Sequence, residues 1–125
     1  MENIYDLIIV GGGPAGCAAG IYATRQKLKT LLITKDFGGQ MARKAVNIEN
    51  YPGLGEISGF DLIRKFEEHL KKQAVGIEMS AVRKIEKKDK IFSVLTSNKK
   101  EFQSRTVIVA SGADPRPLEV TGEKE

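Results

Sequence analysis

The chain is poor in the residues from which many catalytic and metal sites are built. Its 125 residues include one cysteine, Cys17, one histidine, His69, and no tryptophan. A single cysteine forms neither an intrachain disulfide nor a cysteine-based zinc cluster, and such usage is typical of intracellular proteins. With one histidine, placed among charged residues of an expected helix, neither a metal site nor a Ser-His-Asp arrangement is predicted. We therefore predict no metal and no catalytic side chain in this chain.

Long apolar runs are also missing. No uninterrupted apolar stretch reaches the roughly 18 residues that would suggest a transmembrane helix. The first residues, MENIYDL, carry acids where a signal peptide would carry basic residues, and the apolar run after them ends at Gly11. We expect a cytoplasmic protein with no membrane partner.

Aromatic residues make up only 6% of the chain, although its formal net charge is +4 and its pI is about 9.2. The basic residues alternate with acids, as in KFEEHLKK and RKIEKKDK, which is typical of solvated surfaces. No basic and aromatic RNA-binding motif is present, so no nucleic-acid partner is expected. The length corresponds to one domain, residues 1–125.

The order of elements indicates an α/β fold. Apolar runs at 5–10 and 29–34 predict buried strands on either side of an Ala-rich helix, Gly16 to Gln26, which together form a βαβ unit. A long loop follows from Asp36 to Gly59, with a short helix near Gln40 to Lys44. Ser58 to Asp61 resembles a capping box that starts an amphipathic helix extending to about Gln73.

The rest of the chain predicts strands. Residues 76–79 and 106–110 are expected to join the parallel sheet, and residues 81–104 to form an antiparallel meander of short strands over one face. The predicted fold class is therefore a Rossmann-like, three-layer α/β domain with a parallel sheet and a β-meander.

Three glycines fall between the first strand and the first helix. Gly11, Gly13 and Gly16 satisfy the pattern G-x-G-x-x-G. In dinucleotide-binding folds the first glycine permits a tight turn, the second lets the backbone approach a pyrophosphate, and the third lets helix and strand pack closely. The phosphates lie at the helix N-terminus, where Pro14 is tolerated because its missing N–H would have no intrahelical partner.

The residues that would meet the ribose leave the dinucleotide undecided. The second strand ends at Thr34, followed by Lys35 and Asp36, where an acid commonly binds ribose hydroxyls. Thr34 offers a weaker hydrogen bond, Asp36 lies nearby, and Lys35 is compatible with the ribose phosphate of NADP.

Several motifs together resemble the N-terminal FAD-binding segment of the bacterial-type thioredoxin reductase family. They are GGGPAGCAAGIYATR, then GGQ at 38–40, IENYPG at 48–53, SGFDL at 58–62 and VIVASGADPR at 107–116. Their order and spacing agree over essentially the whole chain.

The resemblance implies an FAD site built from separate stretches of the chain. The implied contacts are Gly11, Gly13, Pro14 and Ala15 at the pyrophosphate with Gly16 behind them, Thr34 and Lys35 at the ribose, Gly39, Gln40 and Asn50 along the ribitol and flavin, Val82 at the adenine, and Ala110, Ser111 and Gly112 over the dinucleotide.

The resemblance also implies a reaction. Members of that family pass a hydride from NADPH to FAD and then electrons to a redox disulfide and to thioredoxin or a similar small redox protein, often as homodimers. The family's Cys-x-x-Cys pair is expected in a nicotinamide domain beyond Glu125, together with the rest of the FAD domain. We therefore expect that this chain alone does not turn over, and that Cys17 is a small buried residue.

Two other interpretations remain at this point. A simple NAD(P)-binding module would agree with Lys35 but leaves GGQ and IENYPG without a role. A non-catalytic folding unit would have kept the fold and lost the cofactor, and its stability would not respond to added nucleotide.

Overall fold

The structure, a computed structural model, describes residues 3–44, 47–114 and 116–123. Pro115, within the motif at 107–116, and residues 124–125 lie outside this range. The elements in chain order are β1 (Ile4–Gly12), α1 (Pro14–Arg25), β2 (Thr30–Phe37), α2 (Gly39–Lys44), α3 (Gly59–Lys71), β3 (Gly76–Met79), β4 (Val82–Lys88), β5 (Ile91–Thr96) and β6 (Glu101–Val109).

One six-stranded mixed sheet organises the domain, in the order β3-β2-β1-β6-β5-β4. The first four strands are mutually parallel, whereas β5 pairs antiparallel with β6 and with β4. The predicted α/β class, the parallel core and the antiparallel meander are confirmed.

Alternate residues of β1 face opposite layers, because side chains along a strand point to opposite faces. Leu7 and Ile9 pack with Cys17, Ala23 and Leu70 on the helical side. Their neighbour Ile8 packs on the other side, in a cluster that also holds Val94 of β5. The meander therefore covers one face of the parallel sheet, as the sequence predicts.

Helix α3 follows its amphipathic pattern. Leu62, Ile63 and Leu70 are buried, His69 is exposed, and the Ser58 hydroxyl accepts a hydrogen bond of 3.0 Å from the Asp61 amide. The predicted cap and the polar position of His69 are confirmed.

The predicted break between the meander and the last parallel strand is wrong. Strand β6 is continuous over Glu101–Val109, and it pairs with β5 near its start and with β1 along the rest. Ser104 lies where both neighbours are present, opposite Tyr5 of β1 and Phe92 of β5, and is completely buried. The polar run QSR is therefore the point where the parallel and antiparallel parts of the sheet join.

Two element ends also differ from the sequence prediction. Helix α1 begins at Pro14 rather than Gly16, and β2 extends past Thr34 to Phe37. None of the helices within the described residues is long and apolar enough to cross a membrane.

Candidate dinucleotide-binding site

A cleft of about 600 Å³ opens at the carboxyl ends of the parallel strands. Its walls come from the turn after β1, the ends of β2 and β3, helix α2, the start of β4 and the segment after β6. Clefts of this size, at the carboxyl edge of an open α/β sheet, are the usual location of ligand sites in such folds.

Most of the sequence-predicted site residues line this cleft. The residues that the structure brings together are Gly11, Gly13, Pro14, Ala15, Thr34, Lys35, Gly39, Gln40, Val82, Ala110, Ser111 and Gly112. Two predicted residues are not part of the lining, Gly16 and Asn50. Gly16 is buried behind the turn, and Asn50 is exposed in the loop before α3. The flavin contact expected of Asn50 remains a prediction.

Two of the three motif glycines are required by the packing of the protein itself. Gly11 has φ +115°, and a Cβ there would collide with the carbonyl group of Ala110 in the segment after β6. At Gly16 a Cβ would collide with the carbonyl oxygen of Gly11. The glycine therefore allows α1 to lie close against the end of β1. These glycines let the turn, the helix and the end of β6 approach each other.

Gly13 differs, because nothing in the protein requires a glycine there. Its backbone is extended (φ −79°, ψ −169°), a conformation that any residue adopts. A Cβ added at this position would have the Gly38 carbonyl oxygen as its nearest neighbour, 4.0 Å away. Since Gly13 lines the cleft, the space kept free beside it belongs to the cleft.

The N-terminus of α1, with its unpaired backbone N–H groups, also lies at the cleft. The first amides of a helix have no partner within that helix, and together with the helix dipole they attract anions. Gly13 is the N-cap residue, Pro14 opens the helix, no side chain caps it and its first turn contains no acid. The cleft therefore offers an uncapped helix N-terminus suited to a phosphate or diphosphate.

At the end of β2, Thr34 is already engaged within the protein. Its side chain is buried and its hydroxyl donates to the carbonyl oxygen of Asp36. Its own carbonyl oxygen accepts from the Ser80 amide at 2.9 Å, which fixes the end of β3 beside it. Lys35, in contrast, is exposed and lines the cleft.

Helix α2 forms another wall and carries an ion-pair bridge. The Arg43 guanidinium lies 3.4 Å from the Asp36 carboxylate, at the end of β2, and 2.9 Å from the Asp114 carboxylate, after β6. All three residues line the cleft.

Cys17 lies one helical turn inside α1, under the glycine turn. It is buried, as predicted, and its Sγ lies 3.7 Å from the carbonyl oxygen of Gly12, to which the thiol donates. Burial raises the pKa of the Cys17 thiol to about 11, and the charge of Glu67 adds to the effect. A thiol with so high a pKa is a poor nucleophile at neutral pH.

The cleft also contains residues that the sequence did not single out as ligands. Ser80 and Ala81 follow β3, and the rule that parallel strands end at one edge of the sheet could have identified them. For Arg43 and Asp114 there was no comparable signal, because their pairing joins positions 71 residues apart.

Comparisons with known proteins agree with this arrangement. A family model described as pyridine nucleotide-disulphide oxidoreductase matches residues 5–125. The chain is 41% identical, over 125 residues, to the thioredoxin reductase of Bacillus subtilis (strain 168), an alignment that covers 99% of this chain and 39% of the relative.

Solved structures give the same result. The crystal structure of Lactococcus lactis thioredoxin reductase matches with a TM-score of 0.89 and 39% identity, covering 96% of this chain and 39% of that one. Thioredoxin reductase from Streptococcus pyogenes MGAS5005 matches with a TM-score of 0.88 and 41% identity, covering 99% and 40%.

The chain thus spans about two fifths of the length of the relatives it matches. The match covers nearly all of this chain, and it includes the glycine turn and the segment after β6 that together form the cleft. The chain belongs to the pyridine nucleotide-disulphide oxidoreductase family, in which it corresponds to the N-terminal part of the thioredoxin reductases.

Proposed function

We propose that this chain is the FAD-binding part of an NADPH-dependent flavoprotein disulfide oxidoreductase similar to thioredoxin reductase. One observation carries the cofactor assignment: Gly13 lines the cleft in a conformation open to any residue, and beyond its chain neighbours the nearest protein atom to an added Cβ is 4.0 Å away. A glycine that the fold does not need is explained by a diphosphate that lies directly against the protein main chain at that position.

The other cleft residues fit the remaining parts of FAD. The uncapped start of α1, at Pro14 and Ala15, is suited to the diphosphate. We assign Val82 to the adenine end and Gln40 to the ribitol and flavin end, with Ser111 closing over the dinucleotide. FAD bound there would supply two-electron redox chemistry, and the protein would supply binding and orientation.

In the whole protein we propose that electrons pass from NADPH through FAD to a redox disulfide and on to thioredoxin or a similar small redox protein. Cys17 is the only cysteine of the 125 residues and is buried, so no such disulfide forms within them. We therefore propose that the chain by itself binds cofactor without turning over. A homodimeric state and a cytoplasmic location remain predictions.

A second candidate ligand is NADP. Lys35 is exposed in the cleft, the Thr34 hydroxyl is bonded to Asp36, and the Asp36 carboxylate is paired with Arg43. The ribose end thus has an exposed ammonium group, which would suit a ribose phosphate. Binding of NADP+ with no measurable FAD affinity would select this function.

The test is a titration with FAD, followed by absorbance and by flavin fluorescence after gel filtration. We expect flavin to co-elute with the wild-type chain. Gly13→Val should lower FAD affinity at least tenfold while circular dichroism stays native, because the new side chain fills space against which the diphosphate would lie.

Ala18→Val is the matched control, since Ala18 is exposed on the same helix and outside the cleft. It should leave the affinity unchanged. Equal affinities for FAD in all three proteins would refute the assignment of the glycine turn.

A further inference from the structure

Helix α2, which forms one wall of the cleft, begins at a pair of glycines. Gly38, which joins β2 to α2, and Gly39, the first residue of α2, have φ values of +103° and +53°. Gly38 is anchored, because it is buried and its amide donates to the carbonyl oxygen of Gly12 at 2.9 Å. A Cβ added at Gly39 would meet no protein atom within 4 Å, so its left-handed backbone lies in open space at the start of α2.

The Arg43 side chain links α2 to two other walls of the cleft, the end of β2 and the segment after β6. One guanidinium nitrogen meets Asp36 at the end of β2 and the other meets Asp114 beyond β6. Among the ion pairs of the described residues, only these two join residues that both line the cleft. They therefore add side-chain links from α2 to the end of β2 and to the segment after β6.

The surroundings of Arg43 argue against a role as a direct phosphate ligand. Its two nitrogens face two carboxylates, so the group of three carries a net negative charge that would repel a diphosphate. The start of α1 already offers amides for the diphosphate.

We propose that Arg43 is a strap, a positioning residue that holds α2 across the cleft and sets how fast the dinucleotide enters and leaves. This inference rests on the proposed function for its ligand, although the strap itself is a property of the ligand-free protein. Arginine suits the role because its planar fork reaches two carboxylates at once, whereas a lysine ammonium is a single compact charge.

The first measurement is hydrogen exchange of the backbone amides of α2 in the ligand-free protein. Arg43→Gln and Asp114→Asn should each raise exchange about threefold to tenfold, the scale of one or two exposed ion pairs. Arg43→Lys should fall between wild type and Arg43→Gln. Arg64→Gln, at an exposed arginine of α3 outside the cleft, should change nothing.

The second measurement is the rate at which FAD leaves when it is diluted into excess scavenger. Both strap variants should release FAD about threefold to tenfold faster, with a smaller change in equilibrium affinity because entry is faster too. Added salt should speed release from wild type and not from Arg43→Gln, since salt screens exposed ion pairs.

Two results would overturn the strap. If Arg43→Gln weakens FAD binding while Asp114→Asn leaves exchange and release unchanged, Arg43 is a ligand contact. If neither variant alters amide exchange, the bridge has no effect on α2. Failure of FAD to bind any of the proteins would refute the proposed function alone, because the exchange measurement contains no FAD.

Discussion

At the scale of single residues, glycines in one motif are present for different reasons. Gly11 and Gly16 allow segments of the protein to touch each other, whereas Gly13 keeps a wall of the cleft bare. Substitution by alanine should separate these roles. The Gly13 variant should fold normally, and the Gly16 variant should have a lower denaturant midpoint, because its Cβ meets a backbone carbonyl that cannot move aside.

Cys17 should make stability fall at alkaline pH. Its thiol has a pKa of about 11 when folded, against an ordinary value of 9.0 that applies to the unfolded chain. Between these values the unfolded chain loses the proton first, so the free energy of unfolding declines as pH rises from about 9 to about 11. This difference in pKa corresponds to a total loss of roughly 2 to 3 kcal/mol in the free energy of unfolding.

The measurement is urea unfolding at pH 8, 9, 10 and 11, for wild type and for Cys17→Ala. Lysines and tyrosines titrate in both proteins, so the difference between their curves isolates the thiol. If the free energies of unfolding of the two proteins fall in parallel with pH, Cys17 does not cause the loss of stability. At pH 8 the folded wild type should also resist alkylation by iodoacetamide.

At the scale of elements, α3 depends on its first turn. The Ser58 hydroxyl accepts from the Asp61 amide at 3.0 Å, which satisfies one donor at the start of the helix. Ser58→Ala should therefore lower the free energy of unfolding by about 1 kcal/mol.

The denaturant midpoint, at constant slope, measures that loss. Ser58→Asp keeps an oxygen acceptor at the same position, and its midpoint should stay within a few tenths of a kcal/mol of wild type. If alanine and aspartate have the same effect, the cap does not stabilise α3.

Elements were predictable where local pattern decides them. The βαβ unit and α3 follow from buried runs and from amphipathic spacing, as the packing of Ile8 and Leu62 shows. The prediction assigned residues 81–104 to the meander and 106–110 to the parallel sheet, so β6 was divided just after Ser104. Its burial depends on pairing with β1 and β5 at once, and no local pattern reveals a strand with different neighbours at its two ends.

The site was predictable to a similar degree. The glycine turn and the segment at Ala110 have strong motifs, and the structure places both on the cleft. The strap was not predictable, since the pairing of Arg43 with Asp114 depends on the tertiary arrangement that brings α2 beside the segment after β6.

At the scale of the whole molecule, apolar surface remains at the end of β6. Beyond Ser104, the described strand pairs only with β1, and Ile108 and Val109 are 41% and 65% exposed. An open strand edge with apolar side chains favours association with another surface.

We therefore expect self-association as the concentration of the isolated chain rises, detected by sedimentation velocity and by binding of an apolar dye. Val109→Thr keeps the shape and replaces one methyl group with a hydroxyl, so it should weaken association about threefold to tenfold. Val120→Thr is the control, because Val120 is similarly exposed but lies outside the sheet. A chain that stays monomeric and binds no dye would contradict this expectation.

The position of β6 in the sheet has a consequence for biosynthesis. Strand β1 is central, yet its neighbour β6 is made long after it, and the Thr106 hydroxyl donates to the carbonyl oxygen of Asp6, 100 residues earlier. While the chain leaves the ribosome, β1 can pair with β2 early, but its other edge stays bare until residues 101–109 emerge. Val94, which covers Ile8, also arrives late. Closure of such distant pairings is slow, so we expect the nascent chain to depend on protection from aggregation until β6 is complete.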